Sequence, residues 1–357
     1  MITMLDVARR AGVSKATVSR VLAGHGYVSK TVRDKVMSAV EEMGYRPNLL
    51  ARNLATNRSQ SIGLMVPNTL YNGPFFSELL YQVATLTEQL GSQLVLADGK
   101  HTADQERQAI NFLIDSRCDA LIIYPRSLSV EEIDQLIPTI SKPMLVLNRR
   151  LKTFPHYAVC ADHENDTFQA VDYLISQGHR EIAFIKGMEG SHTGLSRLKG
   201  YLSALKQHKI TPQPSLMLEG GWTNESGRLA ACELLRRDVT FSAIVASNDD
   251  MAIGAACALN AVGLRVPDDV SLLSFDDIPV AAYLTPALTT VRVPVAKMVS
   301  SAMMQLAKML DGEQVGPLAL MPGELIRRQS VGMGPYGSGR TDVKPVGPEP
   351  HSQTEQR

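Results

Sequence analysis

The chain has 357 residues, 44% hydrophobic and 20% charged, which suits a globular protein of more than one domain and argues against a disordered chain. No apolar run approaches the roughly 20 residues of a membrane helix, and the start, MITMLDVARRAG, lacks the apolar core of a secretory signal, so a cytoplasmic protein without a membrane partner is expected. Net charge is zero but unevenly spread: residues 1–60 hold 10 lysines and arginines against 4 acidic residues, leaving 26 against 32 for the rest. A basic head on an acidic body attracts phosphate.

Three short helical patterns fill the first 45 residues. The first spans about Met4 to Arg10, with Leu5 and Ala8 facing inward, and Gly12 supplies a tight turn. Ser14 is placed to cap a second helix, Lys15 to Leu22, that turns Val18, Val21 and Leu22 to one side. The third, Lys30 to Met43, repeats Val32, Val36 and Val40 at helical spacing. A core this small suits a DNA-binding module. RPNLLARNLA follows, with Pro47 at a first helical position and two turns of helix beyond it, marginal alone in water. The polar run Thr56 to Ser61 reads as a linker.

From Ser61 apolar strands alternate with amphipathic helices. Candidate strands are Ile62–Val66, Gln93–Ala97, Ala120–Tyr124, Met144–Leu147, Glu181–Ile185, Ala243–Ala246 and Val270–Phe275; between them lie helical patterns at Phe75–Leu90, Asp104–Asp115, Asp166–Gln177, His192–Gln207, Gly227–Arg236 and Met251–Ala261. This alternation implies parallel sheets covered on both faces, in two similar α/β lobes with a cleft between them. Four separate cysteines, Cys118, Cys160, Cys232 and Cys257, read as buried reduced thiols. After Gly332 the chain turns rich in glycine, proline and polar residues, and a disordered tail is expected.

MLDVARRAGVSKATVSRVLA, residues 4–23, meets the physical requirements of a helix-turn-helix. Ala8 is small where the helices cross, Gly12 permits the turn, and Val13 and Val18 fill the interface. The exposed face of the second helix carries Lys15, Ala16, Ser19 and Arg20, and in such motifs this helix enters the major groove. Arg20 can grip a guanine with both arms, and Lys15 can reach a base or a phosphate. Ser14 belongs to the same face; Thr17, Ser19, Tyr27 and Ser29 carry hydroxyls suited to phosphates.

DVARRAGVSKATVSRVL resembles the signature of the LacI/GalR family of bacterial repressors. The likeness continues through YRPNLLARNLA, similar to the family's hinge helix, and through IGLMVPN, GHREIAFI, RLKGYLSAL, ASNDDMAIGA, VPDDVSLLSFDDI and LTTVRVP, similar to its effector-binding core, so that it covers residues 3 to about 331. The resemblance implies an N-terminal all-α helix-turn-helix domain plus a two-lobed α/β core like that of periplasmic binding proteins, its parallel sheets flanked by helices on both faces. It divides the chain into a DNA-binding domain 1–46, a hinge helix and linker 47–60, a core for effector binding and dimerisation 61–331, and a tail 332–357. It also implies a homodimer on palindromic double-stranded operator DNA, with Asn48 and Leu54 of the hinge as DNA contacts and Leu54 as the wedge inserted into the minor groove.

In the cleft the family pattern places Arg197, Asn248 and Asp276 as polar ligands of a sugar-like effector and Trp222 as the plate beneath it. Asn68, Phe76, Asp98, Arg149 and Asp162, at strand ends or helix starts, are further effector candidates. Carboxylate, amide and guanidinium around an aromatic ring suit a neutral polyol. Val293 and Val295 stand where some relatives carry polar or aromatic cleft residues, which tilts the expected effector toward a glycoside or an aromatic aglycone; the resemblance within the family implies the β-glucoside type. A purine, nucleoside or phosphorylated co-regulator is the alternative within the family, and a sugar-binding transport protein a remote one outside it. No nucleophile elbow, P-loop or zinc helix occurs, so no catalytic residue, cofactor or metal is expected and the chain does not read as an enzyme.

Overall fold

The computed structural model describes residues 2–23, 27–45 and 59–337. The chain divides into two compact units, Met1–Gln60 and Ser61–Arg357. The hinge residues Asn48 and Leu54 lie outside the described residues.

In the first unit, α1 (Met4–Ala11), α2 (Lys15–Ala23) and α3 (Lys30–Glu42) enclose a small core of Val7, Ala8, Val18, Val21, Val36, Ala39 and Tyr45. Thr3 caps α1 reciprocally with Asp6, and Gly12 ends it at φ 68, the left-handed conformation that a tight turn between helices requires. Leu5, expected inside, is 46% exposed; Val7 takes the inward place, because with Ala8 fixed at the crossing the adjacent position faces α3 while position 5 faces out. Val32 and Val40 are half-buried, and Val36 and Ala39 form the buried centre of α3.

The second unit holds two sheets among the described residues. The first is parallel throughout, in the order β2-β1-β3-β4-β5: β1 (Ser61–Val66), β2 (Gln93–Asp98), β3 (Ala120–Ile123), β4 (Met144–Leu147) and β5 (Ala158–Val159). The second runs β11-β10-β9-β8-β6-β7: β6 (Ile182–Ile185), β7 (Met217–Leu218), β8 (Ala243–Ala246), β9 (Ser271–Phe275), β10 (Thr289–Arg292) and β11 (Glu324–Ile326), parallel except for β11. Central strands such as β3, β4 and β8 are buried at every position, as expected of strands covered on both faces. On the first sheet, α4 (Pro74–Gln89) covers one face and α5 (Ala103–Asp115) and α6 (Val130–Leu136) the other. On the second, α7 (His163–Ser176) and α8 (His192–Gln207) cover one face, α9 (Asn224–Arg236) and α10 (Asp249–Ala261) the other.

The elements read from the sequence end at Phe275; the structure adds β10, β11 and α11 (Val295–Leu310). α11 follows strands of the second lobe yet packs Met298, Val299, Ala302 and Leu306 against Leu79 and Val83 of α4 in the first. The chain therefore crosses between lobes three times, at residues 160–162, 293–294 and 311–323. A parallel bridge joins Ala161 to Met321, and the Gly323 amide donates to Asp166 Oδ1 at 2.8 Å. Residues 332–337, expected to belong to a disordered tail, are placed against the second lobe. They are tied to the end of α7: the Gly334 and Tyr336 amides donate to the Gln177 and Gly178 carbonyls, and the Tyr336 hydroxyl to Glu181. The thiols also depart from expectation: Cys118 is buried, Cys160 and Cys232 are half-buried, and Cys257 is exposed.

α9 and α10 pack at backbone distance. A Cβ on Gly254 would stand 1.8 Å from the Asn224 carbonyl oxygen, so the second helix must carry a glycine there. Gly254→Ala should lower core stability by about 3 kcal/mol, the upper range for overpacking where backbone rather than a rotamer must yield; an unchanged thermal midpoint would show that the helices part freely.

Candidate functional site

The exposed face of α2 is the first candidate surface. Lys15, Ala16, Ser19 and Arg20 are all exposed, as the motif requires. Ser14 is spent differently: its Oγ accepts from the Thr17 amide at 3.1 Å and pairs with the Thr17 hydroxyl at 2.9 Å, so both hydroxyls first serve to start the helix. Tyr27 is 96% exposed, and Ser29 precedes α3 without a side-chain capping bond. Arg9 and Arg10 are engaged by Asp6 and Glu42, whereas Lys15 and Arg20 have no acidic partner among the described residues. Unneutralised cations beside exposed hydroxyls form a surface complementary to a phosphate backbone.

The second candidate is a cavity of about 320 Å³ at the carboxyl ends of the strands of both sheets, where open α/β folds place their ligands. Five of the nine expected effector residues line it: Arg149, Arg197, Trp222, Asn248 and Asp276. Arg197 on α8 is buried. Its Nη2 donates to Asp276 Oδ1 at 3.1 Å, its Nη1 to the Ser247 carbonyl, and its guanidinium lies 4.5 Å from the Phe275 ring centroid and 5.9 Å from that of Trp222. Asn248 caps α10 through Met251 and donates to the Trp222 carbonyl at 3.1 Å, holding that residue at φ 67. Asp276, at φ 111, and Asn148, at φ 53, also line the cavity in conformations non-glycine residues rarely adopt. Three of the eight positive-φ non-glycine residues among the described residues thus line this one cleft.

The other four serve the scaffold. Asn68 and Asp98 bond to each other, Asn68 Nδ2 to Asp98 Oδ2 at 2.9 Å and Asn68 N to Asp98 Oδ1 at 3.0 Å, pinning the ends of β1 and β2 together. Phe76 stacks on Tyr71 at 4.5 Å inside the first-lobe core; its neighbour Phe75 is the aromatic that faces the cleft. Asp162 caps α7 through Asn165 and faces a second cavity of about 460 Å³ near the crossings. Val293 lines the cleft as expected, while Val295 is buried in the core. Residues not singled out from sequence join the cleft: Tyr124, Arg126 and Asn148 from the ends of β3 and β4, His163 and His192 at helix starts, and Asp250. Their position just past a strand or at the first turn of a helix was the available signal.

Arg126 is positioned by Glu106, a fully buried carboxylate that accepts the amides of Arg126, Ser127 and Leu128 at 2.7, 2.9 and 2.8 Å. The aspartate pairs Asp249-Asp250 and Asp276-Asp277 divide their labour. Asp277 is gripped by Arg292 and Arg328 at 2.7 and 2.6 Å, and Asp249 accepts from Thr290 at 2.6 Å, from the Ile278 amide at 2.8 Å and from Ser274. Asp250 and Asp276 line the cavity, Asp276 already paired with Arg197. Burial raises the Asp276 carboxyl, against the pull of Arg197, and burial together with the Asp276 charge pushes Asp249 up to about 7. Burial, with Arg197 adding to it, holds His163 well below the ordinary histidine value.

Two family descriptions match the chain: bacterial regulatory proteins, lacI family, over residues 3–48, and a periplasmic binding protein-like domain over residues 171–331. The HTH-type transcriptional regulator AscG of Escherichia coli (strain K12) is 54% identical over 331 residues, covering 93% of this chain and 98% of its own. The lac repressor dimer bound to operator and the anti-inducer ONPF superposes with TM-score 0.85 at 28% identity, over 93% of this chain and 99% of that one. The complex of the transcriptional regulator CelR with cellobiose gives 0.69 at 30% identity, over 92% and 100%. These relatives are regulators of transcription, and the likeness spans both units.

Asp249 gives the core a pH signature. Its carboxyl titrates near 3.8 unfolded and near 7 folded, so between these values the folded chain binds the extra proton. The stabilisation is complete at the acid end and is lost as pH rises toward 7. The melting temperature of the protein relative to an Asp249→Asn variant should fall across that window; parallel pH profiles would show that Asp249 titrates elsewhere.

Proposed function

The chain belongs to the LacI family of bacterial transcriptional regulators, and from that premise we propose that it represses a carbohydrate-utilisation operon, of β-glucoside type, and leaves its operator when a sugar or glycoside fills the cleft. It is a DNA-binding transcriptional repressor. The proposal adds a homodimer acting in the cytoplasm, each α2 reading one half-site of a palindrome. The relative solved on an operator as a dimer supports that assembly, and the relative solved with cellobiose supports a sugar in the cleft.

The observation that carries the effector reading is the second-lobe wall of the cavity. Trp222 offers an apolar plate, and Asn248, Asp250 and Asp276 offer acceptors, with Arg197 locked behind them. Sugar hydroxyls donate to carboxylates while the apolar face of the ring lies on an aromatic plane. Allosteric release follows if the ligand binds one arrangement of the lobes better than the other, since only unequal affinity shifts an equilibrium. With Leu54 as minor-groove wedge, the coupling runs from the lobes through residues 47–60 to the DNA.

Because Trp222 is the sole tryptophan, its fluorescence reports the cleft directly. Titration with aryl β-glucosides, cellobiose, simple hexoses and purines should give a saturable change with a glycoside, and the same compound should release a selected operator fragment in a gel-shift assay. A response to purines alone would replace the sugar reading. On the DNA side, Arg20→Ala should cost about 1–3 kcal/mol in operator affinity and relax preference at one base pair; unaltered base preference would remove Arg20 from the reading role.

A further inference from the structure

Two guanidiniums at the first-lobe end of the cleft have no carboxylate partner among the described residues. Arg126 donates from Nη1 to the Thr69 hydroxyl at 3.0 Å and turns Nη2 to the Met188 sulfur. Arg149 is 5% exposed; its Nη2 donates to the Arg126 carbonyl at 2.8 Å, and its Nε is buried with no hydrogen-bond partner. Glu106, whose charge reaches Arg149, already accepts three backbone amides. His192, at the start of α8 on the facing lobe, also lines the cavity and is held below its ordinary value by burial and by Arg149. Across the cleft the situation reverses: Arg197 is neutralised by Asp276, and Asp250 stands beside it. The cavity is therefore bipolar, with guanidiniums that lack a hydrogen-bonded carboxylate on one lobe and acceptors for hydroxyls on the other.

A buried cation without a counter-charge is costly unless a ligand supplies one. Arg149 also borders the second cavity, of about 460 Å³, together with Arg150, so there is room beside it for more than a sugar ring. We infer that the effector is a phosphorylated sugar or glycoside, its phosphoryl oxygens held by Arg126 and Arg149 and its hydroxyls directed to Asp276, Asn248 and Trp222. This rests on the sugar reading of the same cleft and names the class of sugar. A phosphoryl group has oxygens enough for two guanidinium forks, whereas a carboxylate satisfies one. A ligand anionic at one end and hydroxylated at the other ties the two lobes together, which gives it the differential affinity that release from DNA requires.

The test uses the full-length protein and calorimetric titration with three probes: 4-nitrophenyl β-D-glucopyranoside, its 6-phosphate, and 4-nitrophenyl β-D-glucuronide. The 6-phosphate should bind at least about tenfold tighter than the neutral glucoside, the scale of a single charge-assisted hydrogen bond, and tighter than the glucuronide. Arg149→Gln and, at a less buried position, Arg126→Gln should each bring the ratio of phosphorylated to neutral affinity toward one, with thermal melts confirming that each variant is folded. Equal or tighter binding of the neutral glucoside would overturn the phosphoryl inference and leave the sugar reading standing. A glucuronide that binds as well as the 6-phosphate would overturn it in favour of a carboxylate. Preference retained in both variants would remove these arginines from the site, and silence from all three probes would sink both readings.

Discussion

The guanidinium of Arg197 is the constraint on which the core is arranged. It reaches the end of β8 through the Ser247 carbonyl and the end of β9 through Asp276, and it lies between the rings of Phe275 and Trp222. One side chain of α8 thus fixes the carboxyl edge of the second sheet. Its own stability contribution is modest. A buried ion pair is weak evidence for stability because desolvation cancels much of the attraction. The unpartnered Nε costs about 1–3 kcal/mol, which the stack over Phe275 offsets by about 0.5–2 kcal/mol. An arrangement this close to balance is explained by the position it imposes on Asp276 and Trp222, both held at positive φ.

The same logic extends to the crossings. Three strands of chain pass between the lobes, and two of them are stitched side by side by the Ala161–Met321 bridge and the Asp162 amide on the Met321 carbonyl. Asp166, at the start of α7, accepts the Gly323 amide through one oxygen while the other is buried without a partner, and burial raises its carboxyl to about 6. Of the buried groups with unmet hydrogen-bonding capacity, Arg149, His163, Asp166 and Arg197 lie at the cleft or the crossings, whereas apolar closure lies in the two doubly covered sheets.

How much of this was legible in the sequence depends on what each residue answers to. Asn248 and Asp276 were legible as cleft-lining residues because each follows an apolar strand, whereas Arg197, inside α8, and Trp222 were legible only through the family resemblance. Asn68, Asp98 and Asp162 meet the same criterion yet spend their side chains on one another or on amides: a polar residue at a strand end is as apt to close a loop as to face a ligand, and only coordinates tell which. Phe76 missed by one position, since Pro74 starts α4 and sets which of two consecutive phenylalanines points into the core. Glu106 carried no signal at all. It sits mid-pattern on an amphipathic helix, where glutamate is usually solvated, and its partners lie some 20 residues away in a loop whose shape it creates.

Arg126 shows why the charge of the cleft could not be read from the chain. In the sequence IYPRSLSVEEID it is one basic residue in a polar stretch with acidic neighbours, and local counting would neutralise it. In the fold those neighbours are engaged elsewhere: Glu131 pairs with Lys152, and Glu132 caps α6 and meets Arg107. Glu106 then turns the Pro125–Leu128 loop so that Arg126 faces Met188 of the other lobe. The sign of a binding site is thus settled by which carboxylates are already committed, a property of tertiary pairing. A cleft that reads as neutral and polyol-like along the chain is, once assembled, basic at one end and acidic at the other.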